Sequence, residues 1–294
     1  MKNKILITGS SGFVGTNFIK MSPGYEICEI DLLIQKVDEI NFSGVDSVLH
    51  LAALVHKMKG ASQEQYFKVN RDLAFEMAKR AKDRGVKHFI LMSTAKVFGE
   101  STNHTEPWNE NSKCNPIDAY GKSKFAAEKL IRGLEDDDFA VAIVRSPLIY
   151  GAGVRANMFN LIKLVDKFPL LPLGGLNNKR SMVYIGNLVA LLNLIINKHA
   201  SGVFIAGNSF PISTTELVQQ ISRSLAKRRI LIRVPNFLLK IARIFKPAIV
   251  DRLIGSLVLD NIKTNKVLDF IPPYSIEQGI NEMVDWYQKT KIKA

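Results

Sequence analysis

The 294-residue chain is 47% hydrophobic with a mean hydropathy of +0.05, enough apolar material for one large domain or two lobes. Its 40 Lys and Arg against 27 Asp and Glu give a charge of +13, which favours acidic partners, and their scattered rather than tandem placement argues against nucleic acid. Two cysteines, Cys28 and Cys114, make no disulfide framework and fit a reducing cytoplasm; residues 5–7 are too short for a signal-peptide core, and no apolar run reaches the ~18 residues of a membrane span, the longest, 188–196, being broken by Asn193.

In chain order, residues 4–8 read as a short buried strand, followed by a glycine loop and a helix over about 13–20. Residues 25–30 form a second strand ending at Asp31, and 47–52 a third. Helical spacing over 70–85 runs into a strand at 88–92; 120–134 is helical and 140–145 a strand. Strands alternating with helices imply an α/β fold, a doubly wound parallel sheet with helices on both faces. After residue 150, Gly151, Gly153, Pro169, Pro172, Gly174 and Gly175 punctuate the pattern. The expected organisation is a dinucleotide-binding domain over 1–150 and a smaller C-terminal substrate-binding lobe over 151–294. That lobe covers the carboxyl edge of the sheet, where open α/β sheets bind ligands. Strands at 181–185 and 202–206 are expected to return to the main sheet.

Gly9-Ser10-Ser11-Gly12-Phe13-Val14-Gly15 lies between a strand and a helix. Such a loop lets main chain approach a pyrophosphate, and the helix N-terminus adds N–H donors and a favourable dipole. Gly9 makes the turn, Gly12 the close approach and Gly15 the helix–strand contact, with Ser11, Phe13 and Val14 in the same cradle. Asp31, 16 residues after Gly15, is placed to accept the adenosine-ribose hydroxyls and to repel a 2′-phosphate, which favours NAD over NADP. Leu51, Ala52 and Ala53 end a strand, where they either line the cofactor groove or belong to the core.

Tyr120 and Lys124 are four apart and share a helix face. A phenol titrates near 10, too high for a base at neutral pH, but a nearby ammonium and an oxidised nicotinamide favour the phenolate. It then takes a proton from a sugar hydroxyl while a hydride leaves the same carbon. Thr94 ends the strand before this helix, so its hydroxyl reaches the reacting oxygen; Ser93 is the fallback. The acidic run 135–138 reads as a solvated loop, and the five histidines show no metal-ligand spacing. Residues 226–229 and 237–246 combine cationic and apolar side chains; a helix of the substrate lobe is preferred over a peripheral membrane contact.

These motifs, with His50-Leu51-Ala52-Ala53, Asn70, the segments 93–99, 145–151 and 180–184 and the helix at 279–286, resemble the NAD-dependent epimerase/dehydratase family of extended short-chain dehydrogenases/reductases, in its UDP-glucose 4-epimerase-like branch. The resemblance spans nearly the whole chain. It implies a Rossmann-type fold, a catalytic triad of Thr94, Tyr120 and Lys124, and a homodimer. It also implies a cofactor-side role for Asn70 and contact of Asn157 and Arg180 with the nucleotide diphosphate of a UDP-sugar or related nucleotide sugar. A guanidinium fork suits phosphate. Arg252 is either a further phosphate contact or a surface residue, Ser93 is a substrate contact, and Lys96 either touches sugar or phosphate or is solvated.

The 4,6-dehydratases of the family carry an Asp-Glu pair directly after the catalytic Thr; here Ala95-Lys96 follows Thr94, which leaves redox at C4 alone. A 4-epimerase that regenerates NAD is expected, and the alternative is an NAD(P)H-dependent 4-ketoreductase of a UDP-4-keto-6-deoxy-N-acetylhexosamine in surface polysaccharide synthesis. A non-catalytic dinucleotide-binding protein of this fold typically lacks the Tyr or the Lys, and both are present. Only 14 residues separate Asp31 from Asp46, where relatives fit an extra strand and helix, so NADP stays open.

Overall fold

Short apolar runs without polar alternation suit strands covered on both faces. The computed structural model describes residues 2–55, 61–102, 106–235, 243–245 and 247–292, the side chains of 247–249 and 252 excepted. The runs form a parallel sheet of six strands, β1 (Lys4–Thr8), β2 (Glu26–Ile30), β3 (Ser47–His50), β4 (His88–Thr94), β5 (Ala140–Ser146) and β9 (Gly202–Ile205), in the order β2-β1-β3-β4-β5-β9. Side chains alternate between two cores. Ile5, Ile7, Leu49, Ile90 and Val144 face one, under helices α1 (Phe13–Met21) and α6 (Ile185–Asn197). Leu6, Val48, Phe89, Leu91 and Ile143 face the other, where α3 (Ala74–Asp83) and α4 (Ala119–Arg132) supply Met77, Ala81, Ala127 and Ile131.

The short connection between β2 and β3 holds a single 3₁₀ turn, Val37–Glu39, and β2 pairs with β1 alone among the described residues. Val37, Ile40, Phe42 and Val45, each under 8% exposed, cover the second core from the connection between β2 and β3. At roughly 1.5–3 kcal/mol per fully buried large apolar side chain, this plug closes that core without the extra elements.

The helix expected over 70–85 begins earlier. Ser62 and Gln65 form a reciprocal capping box, and α2 (Gln63–Phe67) runs through a π-helical turn, Lys68–Leu73, into α3. The turn holds Asn70, which is fully buried.

Beyond β5 the chain adds β6 (Leu148–Tyr150), α5 (Ala156–Lys167), β7 (Leu170–Gly174), β8 (Met182–Tyr184), α7 (Thr214–Ser224), β10 (Ile230–Arg233), α8 (Pro247–Ile254), α9 (Ile262–Leu268) and α10 (Ile276–Ile292). β9 lies beside β5 in the main sheet, whereas β8, contrary to expectation, pairs with β6 in a separate two-stranded ribbon. The reason is the packing of Tyr150 and Tyr184, aligned in that ribbon, against α10. Tyr150 donates to the Ile276 carbonyl, Tyr184 bonds Glu282, and a Cβ at Gly279 would lie 2.5 Å from the Tyr184 ring. Most of the stretch 237–246 lies outside the described residues. Among the described residues no helix is long and apolar enough to cross a membrane.

Candidate active site

The chain turns from β1 to β2 on one side and to β3 on the other, so the carboxyl ends of β1 and β3 form the switch point where a doubly wound sheet opens a crevice. The glycine loop lies there. Gly9 has φ +72, and a Cβ on it would stand 2.7 Å from the Ala52 nitrogen; a Cβ on Gly15 would stand 2.6 Å from the Gly9 carbonyl oxygen. Both positions therefore exclude any side chain. Gly12 precedes α1, which has no side-chain cap and no acid in its first turn, so N–H donors remain for an anion. Ser11 is exposed at the loop's tip, and Phe13 and Val14 are half-buried behind it. Loop and helix fit a dinucleotide pyrophosphate.

Leu51, Ala52 and Ala53 are half-buried along the loop's flank, and Leu51 also packs on the first core. Thr8 Oγ1 accepts from the Ala52 N–H (3.3 Å) and bonds His50 Nδ1 at 3.0 Å. Burial, with the nearby Lys124 ammonium, holds that imidazole down at about 3, so it is neutral. Asn70 closes the far side. Its amide accepts from the Leu54 N–H (2.7 Å) and donates to the Leu54 carbonyl (3.0 Å) and to Ser123 Oγ (3.1 Å), fastening the end of this segment to α4. Asp31 is exposed past the end of β2, where its Oδ1 accepts from the Leu33 N–H at 2.9 Å.

Tyr120, Lys124 and Glu128 stand at four-residue steps on α4. Tyr120 hydrogen-bonds Thr94, at the end of β4; burial and then the Asp118 carboxylate push its phenol up to about 12 against that bond. Lys124, 1% exposed, donates from Nζ to the Met92 carbonyl at 2.8 Å. Burial pulls it down to about 8, against the Glu128 carboxylate, so it remains mostly an ammonium at neutral pH. This is a phenol and an ammonium on one helix face with a strand-end hydroxyl on the phenol, an arrangement able to pass a proton to and from a hydroxyl at the sheet's carboxyl edge. The phenol is neutral in the protein alone, so a phenolate requires further positive charge.

Two of the expected substrate contacts have partners within the protein. Ser93 gives its hydroxyl to Glu128, because Ser93 and Arg145 are register partners on β4 and β5 and Glu128 is wedged against both. Arg145 grips Glu128 at 2.7 Å (Nη2) and 3.2 Å (Nε), and both side chains are buried. Lys96 is held by Asp118 at 2.5 Å and Glu100 at 3.1 Å, so its ammonium is already ion-paired.

Arg180 is half-buried in the C-terminal lobe, with Nη1 donating to the Gly255 carbonyl at 3.0 Å, and Asn157 is exposed in the first turn of α5. The Arg252 side chain lies outside the described residues. The loop before α5 reaches the cofactor cradle: a Cβ on Gly153 would meet the Phe13 ring at 3.7 Å. Asp136 and Asp138 in the acidic run pair with Lys82 (2.6 Å) and Lys87 (3.1 Å). Sequence reading missed Asp118, Glu128 and Arg145. Glu128 was legible as the third residue of the Tyr120–Lys124 stripe, and Asp118 as a helix cap.

Residues 5–207 match the model of the NAD dependent epimerase/dehydratase family. The chain is 36% identical to the UDP-glucose 4-epimerase of Vibrio cholerae, over 96% of this chain and 94% of that one. It is 28% identical to the N-acetyl-α-D-glucosaminyl-diphospho-ditrans,octacis-undecaprenol 4-epimerase of Escherichia coli O157:H7, over 78% and 74%. Among solved structures it superposes on UDP-glucuronic acid 4-epimerase from Bacillus cereus with a TM-score of 0.78 at 18% identity, covering 98% of this chain and 99% of that one, which shows the shared Rossmann-type fold. The chain belongs to the NAD-dependent epimerase/dehydratase family of enzymes.

Proposed function

We propose that the protein is a nucleotide-sugar 4-epimerase acting on a UDP-sugar. The observation that carries this is the Thr94–Tyr120 hydrogen bond one helical turn from the buried ammonium of Lys124, with Ala95 and an ion-paired Lys96 where a dehydratase needs its acid pair. Identity of 36% to a UDP-glucose 4-epimerase supports the same reading.

NAD, held by the glycine cradle, would supply a reversible hydride acceptor for C4 of the sugar. Tyr120, as phenolate, takes the proton of the C4 hydroxyl as that hydride departs, and gives it back to the C4 oxygen on return, so the reaction is redox-neutral overall. Lys124 holds positive charge beside the phenolate, and Thr94 orients the hydroxyl. Gly9, Ser11, Gly12, Phe13, Val14 and Gly15 cradle the cofactor diphosphate and Asp31 its adenosine ribose; Asn157 and Arg180 serve the substrate diphosphate. The half-exposed Leu130 and the exposed Lys129 of α4 suit a homodimer contact beside the active-site helix. The free thiols of Cys28 and Cys114 suit a cytoplasmic protein.

The test uses purified protein without added cofactor, incubated separately with UDP-glucose, UDP-galactose, UDP-GlcNAc and UDP-GalNAc, following the sugar H4 signals by NMR. Interconversion at C4 establishes the epimerase and its sugar. No conversion by folded, NAD-binding protein rejects it in favour of the 4-ketoreductase, assayed next on a 4-keto-6-deoxy sugar nucleotide.

A further inference from the structure

A series of contacts links the partner of the Tyr120 hydroxyl to the start of the Tyr120 helix. Thr94 bonds Tyr120, and its Oγ1 accepts from the Lys96 N–H at 3.3 Å. The Lys96 ammonium then reaches Asp118 Oδ2 at 2.5 Å. Asp118, two residues before Tyr120, uses its other oxygen to cap α4, accepting from the Gly121 N–H at 2.7 Å. The helix start is pressed so closely on the turn Ala95–Val97 that a Cβ on Gly121 would lie 2.7 Å from the Lys96 carbonyl oxygen. One ion pair thus joins the strand end that carries Thr94 to the helix start that carries Tyr120.

We propose that Lys96 is a positioning residue for the Tyr120 proton transfer, acting through Asp118: its ammonium neutralises the carboxylate that caps the start of the Tyr120 helix and so permits the phenolate that Asp118 alone would oppose. The inference rests on Tyr120 being the proton-transfer group of the proposed reaction.

Other groups around Tyr120 leave this role to the pair. On α4, Lys124 favours the phenolate and is balanced by Glu128, which Arg145 of β5 neutralises in turn. From β3, His50 is uncharged. From α2, the Tyr66 ring meets Tyr120 edge-on at 6.3 Å. The π-helical turn faces α4 with the uncharged Asn70, while its Arg71 pairs with Asp72. On α3, Arg80 pairs with Asp38 and Lys82 with Asp136. Glu100 shares Lys96 but is about half exposed, so solvent screens it. Asp118 and Lys96 are about a quarter exposed, which permits a mutual field stronger than that of a surface pair.

The test is a near-ultraviolet phenolate titration of the NAD-loaded protein, each variant referenced to the same variant carrying Tyr120→Phe so that Tyr120 alone is read. Lys96→Met keeps the stem and removes the charge; Asp118→Asn keeps a cap acceptor and removes the charge. Lys96→Met is expected to lower the Tyr120 phenolate fraction at neutral pH about tenfold. Asp118→Asn is expected to raise it, and Lys96→Arg to restore the parent value. Unchanged titration in both Lys96→Met and Asp118→Asn overturns the proposal. The readout needs no sugar substrate: the expected titration without turnover of any UDP-sugar sinks the epimerase reading and leaves this one standing.

Discussion

Asn70 holds Leu54 by both of its main-chain polar groups, accepting from the N–H at 2.7 Å and donating to the carbonyl at 3.0 Å. The remaining amide hydrogen reaches Ser123 Oγ on the active-site helix. A single side chain therefore sets the spacing between the flank of the cofactor cradle and α4. Asn70→Ala leaves these groups without their partner at a buried position and is expected to cost about 1–3 kcal/mol by denaturant unfolding, together with weaker NAD binding by titration. An affinity within twofold of the parent would show that the clamp is structural only.

The Lys124 ammonium gives a pH signature. Its pKa falls from 10.5 unfolded to about 8 folded, so between those values the unfolded state binds more protons and stability rises with pH. Relative to Lys124→Met, the parent protein should gain roughly 1.4 kcal/mol per pH unit inside the window of about 8 to 10.5, and nothing below it. Paired unfolding curves across that range are the check; a flat difference would mean that Lys124 is not held as a buried cation.

Glu128 and Arg145 are buried as a pair, and each alone would be an isolated charge. Arg145→Met or Glu128→Gln alone should destabilise by about 3–5 kcal/mol, and the double variant by less than the sum. A double-mutant cycle by urea unfolding measures the coupling, and strict additivity would contradict the geometry. The pair also holds Ser93, one residue before Thr94, so the single variants should lower kcat more than they raise KM.

Asp31 sets cofactor choice in the arrangement proposed here. Asp31→Ala should lower the ratio of NAD to NADP affinity at least tenfold, about 1.4 kcal/mol, measured by calorimetry on cofactor-free protein. An unchanged ratio assigns the preference to another residue.

The sequence made legible whatever depends on neighbours along the chain. The apolar runs became β1 to β5, the glycine loop landed at the end of β1 and the Tyr120–Lys124 spacing on α4, because turn chemistry and helical period are local. Asn70 was singled out by resemblance, but its hold on Leu54 depends on a π-helical turn that no periodicity announces. The helix start at Gln63 was missed although Ser62 and Gln65 spell a capping box. Glu128 meeting Arg145 depends on the register of β4 against β5, and β8 meeting β6 on where two tyrosines pack; both are decided in three dimensions. The shortness of 31–46 announced a missing strand and helix, but not that Val37, Ile40, Phe42 and Val45 would close the core in their place.

That missing strand makes β2 a rim. Among the described residues its outer side meets no other strand, and an unpaired rim is a template on which a second molecule's strand can add. The exposed side chains along β2 are Glu26 and Glu29, with Glu26 also tied to Lys4 at 3.3 Å. Like charges stacked against themselves repel, so these two carboxylates oppose the pairing of this rim with the same rim of a second copy.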